Sequence, residues 1–513
     1  MLEELITEEG RLEELIAQID PNFFKQARWF QHKGAMINQI QLVDYGKLTL
    51  SNSESIILAT ILEIFMEQQV EFSQFSELYY LPLLVSQTLL QGAESIPVLD
   101  AQEQFFLYQG VNDLEYVRVI EQFMKEEEEL ALQKGGTLRG VSIAEDGVFS
   151  AEQLTDVSSN SLTVVKKDQV AKTFRRLEAG VNPEIELSLS LQQKTDFEQF
   201  PTLKGYLTYQ TEQKQEYNLM LAQEFVTSDG DLWAYTQEVI ADLLARLWEE
   251  RAGDLEGAIE EFCAEYFDYS VKLGELIARL HLSLAGIDAQ EFAPRPPQQD
   301  EVVELYSKMR ENYEQLVSQL QEKEEQVDDE QLVAELLSYQ DIIEQLEEEL
   351  LPAIEQIGKF VRCHGDLHLE QVLKIGEELI ILDFEGEPTK SIAERRRKYS
   401  PLKDIAGMLR SYNYAAYAGY FKFKEEVQIE DSDYLLEIIN LWEEKVASKF
   451  WEGYLQSIGQ EAELLPSENE FNRVVELFKL EKALYEALYE INNRIDWLQI
   501  PLQGILDSLA SLN

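Results

Sequence analysis

Basic residues are scarce in this chain. Its 513 residues hold 43 Lys and Arg against 97 Asp and Glu, a formal charge of −54. Nucleic-acid binding depends on basic contacts to phosphate, so that class of partner is excluded. An anionic membrane surface is excluded on the same ground. Cysteine is nearly absent. Cys263 and Cys363 lie far apart in the chain, so neither a disulfide framework nor a metal-ligand spacing is implied. That usage fits a reducing cytoplasm, the expected location. No apolar run approaches bilayer length, and residues 1–6 lack the basic flank of a signal peptide. What remains is ordinary globular material: 45% hydrophobic residues and a length that suits two or three domains. The acidity reads first as solvated Glu-rich helix faces. It does not exclude a nucleotide, because Mg²⁺ and a few local Lys and Arg can dominate the field of one site.

The pattern of apolar residues divides the chain into three parts. Residues 1–20 predict an amphipathic helix. Strands are expected at 36–50, 55–70, 78–91 and 104–118, then a helix to about 134. The Gly135-Gly136 pair marks a break. Residues 1–134 therefore read as an N-terminal, β-rich cap subdomain. Residues 135–226 read as a second β-rich unit. It has strands at 162–166, 169–174, 202–211 and 217–225, and a helix opened by Pro183. Residues 227–513 read as mainly helical. Within them, 298–357 is rich in Glu and Gln with spaced Leu and Ile, and predicts a helical hairpin facing solvent.

One stretch carries chemistry. His364-Gly-Asp366 is followed five residues on by Gln371 and then by Asp383-Phe-Glu385. Protein kinases space a catalytic loop, H-R-D-x-x-x-x-N, and a metal-binding D-F-G in this way. The chemistry needs the trio. Asp366 can accept or orient the proton of an acceptor hydroxyl. Gln371 and Asp383 offer hard oxygens to the Mg²⁺ that neutralises a transferring phosphoryl group. The alternative is a β-hairpin with polar residues at its bend, for which Phe360–Cys363 and Glu378–Leu382 supply two strand-like runs. Carboxylates placed where strands emerge are costly to desolvate without a cation, which favours the site.

Much of the rest resembles one family. Residues 28–34 (RWFQHKG), 172–180, 182–186, 223–226, 230–235, 364–373, 382–388, 400–410 and 481–494 resemble the bacterial maltokinases, within the aminoglycoside phosphotransferase and protein-kinase-like superfamily. The resemblance runs from about residue 28 to 505. It implies an α+β, two-lobed protein-kinase-like fold with the cap in front of a nucleotide lobe and a helical C-terminal lobe. It implies ATP and Mg²⁺ as cofactors. Lys172 would meet the nucleotide phosphates and be held by Glu186, or by Glu184. Ser159, Asn160 and Ser161 would cover the phosphates, and Gln223 to Val226 would lie beside adenine.

The resemblance further implies maltose as acceptor, phosphorylated at its anomeric hydroxyl, and admits a trehalose synthase as partner. His364, Glu385, Lys482, Tyr489, Glu490 and Arg494 would line the acceptor site. The last four recur at i, i+7, i+8 and i+12, so they can share a helix face, although a solvated face has the same spacing. Two rivals stand beside this reading. An acidic pocket would suit an amino sugar such as glucosamine. An idle, kinase-like binding subunit would be expected to have lost some of Lys172, Asp366, Gln371 and Asp383.

Overall fold

Strand alternation in the N-terminal part is realised as long antiparallel pairing. In a computed structural model, β1 (Met36–Leu48) pairs along its length with β2 (Ser55–Glu67). The structure describes residues 5, 8, 10–48, 55–67, 73–90, 94–98, 105–143, 161–166, 169–323, 330–340, 343, 357–428, 433–459, 462–467 and 469–512. The predicted first helix is present as α1 (Arg11–Ala17), and α2 (Pro21–Gln26) follows, its first turn capped by Asp20.

By internal contacts the chain forms two compact units. The first comprises Met1–Leu189, Pro201–Thr227 and Lys390–Ala393. The second comprises Ser190–Phe200, Ser228–Thr389 and Glu394–Asn513.

The first unit holds two sheets. β3 (Gln74–Tyr80), β4 (Leu83–Ser86), β5 (Ser95–Ile96) and β6 (Phe106–Gln109) join β1 and β2 in one of them. The run expected as one strand over 104–118 is thus β6 followed by helix α3 (Leu114–Lys125). Asp113 starts that helix by accepting the amides of Glu115 and Tyr116. The second sheet runs β7 (Glu129–Ala131), β8 (Thr137–Ser142), β12 (Leu203–Gln210), β13 (Glu216–Glu224), β10 (Gln169–Thr173), β9 (Ser161–Lys166). Between β10 and β12 lie β11 (Arg176–Leu177), which joins the first sheet, and helix α4 (Pro183–Lys194).

One apolar cluster draws on both sheets and on α3, from Ile57 and Tyr80 through Ile120 and Phe123 to Leu207 and Leu219. The segments read as 1–134 and 135–226 therefore share a core. Buried Asp44 pins the turn between them, accepting the amides of Lys134 and Gly136 at 2.9 and 2.8 Å. A side chain at Gly136 would collide with that carboxylate.

The second unit is built on helices α5 (Leu232–Glu250), α6 (Leu255–Phe262), α7 (Ala264–Ala285), α8 (Gln299–Glu322) and α9 (Glu330–Ser338), then α10 (Ile392–Arg395), α11 (Leu402–Val427), α12 (Asp433–Ile458), α13 (Phe471–Asn493) and α14 (Gln499–Leu512). A small sheet of β14 (Gly230–Asp231), β15 (Val372–Ile375) and β16 (Glu378–Ile381) sits among them. The expected solvent-facing hairpin needs correction over its first helix; its residues 324–329, 341, 342 and 344–356 lie outside the described residues. On α8, Val302, Tyr306, Met309, Tyr313, Leu316 and Leu320 recur at alternating steps of four and three and are all buried. They pack on Leu477, Leu480 and Leu484 of α13 and on Leu502 and Ile505 of α14. Only the acidic face of α8 is left to water. Among the described residues no helix is long and apolar enough to cross a membrane.

Candidate active site

The loop from Phe360 to Gln371 is held by backbone bridges rather than by a strand. Val361 exchanges amide bonds with Tyr399, and Phe360 with Arg295, each as an isolated bridge. The second predicted strand is present as β16. The chain turns at Gly365, whose φ of +88° is a left-handed value. Two amides at this turn point at one buried carboxylate. Asp404 Oδ2 accepts the His364 amide at 2.8 Å, and Oδ1 accepts the Gly365 amide at 2.8 Å. His281 Nε2 donates to the same Asp404 from 3.0 Å, and its Nδ1 lies 3.0 Å from the Tyr454 hydroxyl. Burial would raise the Asp404 carboxyl, but His281 and His364 outweigh it and hold it below the usual range.

His364 is a second tie. Its Nε2 donates to the Leu382 carbonyl at 2.7 Å, and Nδ1 accepts the Asp366 amide at 3.4 Å. The ring is buried and both nitrogens face backbone, so the structure gives His364 backbone partners where a contact with substrate was expected. The ring locks the loop to the end of β16, immediately before Asp383. Gln371 and Asp383 are thereby brought together, with Gln371 Nε2 3.4 Å from Asp383 Oδ2 and 3.3 Å from His368 Nε2. Asp383 has a φ of +59°, a strained backbone that aspartate tolerates better than most residues. Phe384 buries its ring against Phe200 and His364.

Asp366 faces a lysine from the far end of the chain. Lys482 Nζ on α13 donates to Asp366 Oδ1 at 2.9 Å. Burial would raise the Asp366 carboxyl, but Lys482, His368 and His364 more than offset it and hold it at about 2. Burial would likewise lower Lys482, yet Asp366, Glu486 and Glu387 push it above the usual lysine value. Burial keeps His368 below the ordinary imidazole value.

The rest of the expected acceptor face is arranged differently. Glu490 is buried and takes a two-pronged bond from Arg494 at 2.9 and 2.6 Å. Tyr489 is 48% exposed. Tyr485, not singled out in the sequence, lies close enough to Glu387, Lys482 and Asp366 to feel their charges. Its position one turn after Lys482 was the available signal. Glu387 is buried and accepts from Thr389 Oγ1 at 2.8 Å. The neighbouring Glu385 carbonyl accepts from Arg395 at 3.4 Å.

In the first unit, Lys172 stands on β10 between Leu162 of β9 and Leu221 of β13. Its ammonium donates to Glu184 Oε2 at 2.9 Å, and both side chains are buried. The preference for Glu186 is corrected to Glu184. Residues two apart on a helix differ by about 200°, so only one of them can face β10. Gln223 pairs with Val170 and Leu203 inside the sheet, and Val226 follows the end of β13. Ser161 begins β9. Ser159 and Asn160 lie outside the described residues.

No protein-family model matches the sequence. The fold is matched by two crystal forms of a glucosamine kinase, with TM-scores of 0.63 and 0.62 at 17% identity. The matches cover 97% and 96% of this chain and 99% and 97% of those chains. A glucosamine kinase in complex with glucosamine, ADP and inorganic phosphate matches over 96% of this chain and 98% of its own, with a TM-score of 0.58 and 17% identity. The chain thus has a two-lobed, protein-kinase-like α+β fold.

Proposed function

We propose that this protein is an ATP-dependent sugar kinase that converts maltose to maltose 1-phosphate. The observation that carries the kinase reading is the convergence of Asp366, Gln371 and Asp383 around one doubly anchored loop. Gln371 donates from Nε2 to Asp383 Oδ2 at 3.4 Å, and turning that amide over would bring its oxygen beside the Asp383 carboxylate, a hard-oxygen donor set of the kind Mg²⁺ takes. When bound, Mg²⁺ would neutralise charge on the phosphoryl group in flight. Asp366 orients the acceptor hydroxyl. A carboxyl held at about 2 is a weak proton acceptor, which is adequate because the transition state of phosphoryl transfer is loose. The acceptor oxygen bonds to the γ-phosphorus, the bond to ADP breaks, and the hydroxyl proton leaves by way of Asp366. Lys172, fixed by Glu184, is the candidate phosphate ligand, and Gln223 to Val226 the candidate adenine edge.

Two features support a neutral acceptor such as maltose. The maltokinase resemblance runs along most of the chain. Lys482 already supplies the cation beside Asp366, so a cationic acceptor is not needed there to balance charge. The reading that the acceptor is glucosamine has its own support in the full-length likeness to glucosamine kinases. Phosphorus NMR of the products from maltose, methyl maltoside and glucosamine separates the two. Maltose 1-phosphate with no reaction of the blocked glycoside is expected. A preference for glucosamine, or a 6-phosphate product, would sink the maltose assignment and leave the kinase standing. No phosphorylated sugar from any of these, or from a wider panel, would remove both.

A further inference from the structure

The helical unit contains a polar cavity whose lining does not include Asp366. It has a volume of about 230 Å³ and lies among α11, α12, α13 and α14. Arg410, Asn413, Glu443, Trp451, Lys479 and Asp507 are among the side chains that line it. The walls are built rather than incidental. Arg410 is almost fully buried and reaches its place because position 504 is glycine, where a side chain would collide with the guanidinium. Asn413 accepts from Arg410 at 3.1 Å and donates to Glu443 at 2.8 Å.

The two basic groups are already matched. Arg410 gives two bonds to Glu486, at 3.0 and 2.7 Å, and Lys479 pairs with Glu476 at 2.9 Å. Among the described residues Glu443 and Asp507 have no such ion pair. Amides are their neutral partners, from Asn413 for Glu443 and from Gln503 for Asp507. Two carboxylates at one small cavity, with an indole in its wall, are the recognition elements for an organic cation: charge-assisted bonds to the ammonium and an aromatic face beside its carbons.

We propose that this cavity binds a small organic ammonium ion and acts as an effector site for the acceptor pocket. The path of coupling is short. Arg410 holds Glu486, and Glu486 is one turn from Lys482 and among the charges that raise it. Lys482 holds Asp366. A cation drawn to Glu443 shifts Asn413 and Arg410, and with them the field on Lys482.

Binding is independent of the kinase reading, and only the kinetic consequence rests on it. The probe is putrescine, with 1,4-butanediol as the uncharged analogue, titrated calorimetrically into the full-length protein. Putrescine should bind and the diol should not. Glu443→Gln should weaken putrescine roughly tenfold or more, the scale of one lost charge-assisted contact. Glu444→Gln, on the exposed side of the same helix, should leave binding unchanged and so reports attraction to the acidic surface as a whole. Equal weakening by both variants, or no putrescine binding, would overturn the site. If Glu443→Gln fails to fold, Asp507→Asn at the exposed rim serves instead. Binding with no change in acceptor KM would overturn the effector role while leaving the site. If no sugar is phosphorylated at all, the calorimetry still decides the site.

Discussion

Asp366 and Lys482 stand 116 positions apart in the chain and 2.9 Å apart in the fold. The pair sets the state of the carboxylate on which the proposed chemistry turns. A lone, buried carboxylate would hold its proton more tightly than one in water. Lys482, with His368 and His364, reverses that and holds the carboxyl at about 2.

Replacing Asp366 by Asn should therefore lower kcat by roughly 10²–10⁴ while nucleotide affinity stays close to normal. Steady-state kinetics with calorimetry of ATP binding checks this. Turnover within a few-fold of wild type would remove Asp366 from the role assigned to it.

Lys482→Met should move the acid side of the activity profile. In the unfolded chain an Asp titrates near 3.9, and in the fold Asp366 is held lower. Its ionised form thus stabilises the fold above about pH 4, and this contribution is lost as pH falls through about 2. Any acid limb of the wild type at higher pH would then have another origin. Without Lys482 only His368 and His364 are left to oppose burial, so the carboxyl rises and kcat/KM of the variant should begin to fall at a higher pH than wild type. Superimposable acid limbs would show that Lys482 does not control Asp366.

Asp383→Ala should abolish the Mg²⁺-dependent part of nucleotide affinity, because it removes the charged member of the Gln371–Asp383 pair. Calorimetric titrations with and without Mg²⁺ measure it. Unchanged Mg·ATP affinity would place the metal elsewhere.

Asp404→Ala should unfold more easily. It leaves the His364 and Gly365 amides and His281 Nε2 without their acceptor, all buried or partly buried. Each orphaned donor costs about 1–3 kcal/mol, so a loss of about 3 kcal/mol or more is expected. Asp404→Asn keeps one acceptor and should lose less. Urea denaturation compares the two, and a deficit under about 1 kcal/mol for the alanine variant would mean the loop is anchored by other contacts.

Glu184→Gln should raise the KM for ATP roughly tenfold or more and Glu186→Gln much less, because Glu184 is the partner that the structure gives to buried Lys172. Equal effects, or a larger effect at position 186, would reverse the correction.

The legible parts of this protein were local. The strands β1, β2, β10, β12 and β13 follow from alternation. The start of α4 follows from Pro183, and the turn at 135–136 from its glycines. Gln371 and Asp383 were read from spacing alone because they flank a tight hairpin, β15 to β16, that returns the chain on itself within 12 residues. The run at 104–118 was misread because α3 begins at an Asp cap inside an apolar stretch whose first residues do form a strand. The backbone partners of His364 are not legible in its spacing to Asp366, because only the tertiary structure brings the Leu382 carbonyl to its ring.

By itself, then, the sequence determined which residues share a face, where the chain turns, and which oxygen donors flank the catalytic-type loop. Periodicity and turn chemistry are properties of a few neighbouring residues. The tertiary structure decided who meets whom: Glu184 rather than Glu186 on Lys172, Lys482 on Asp366, the apolar stripe of α8 on α13 and α14, and one core beneath two β-rich segments that read as separate. A helical pattern says which side of a helix is apolar or charged. It does not say which distant element will lie against that side, because that choice is made by packing the whole core at once.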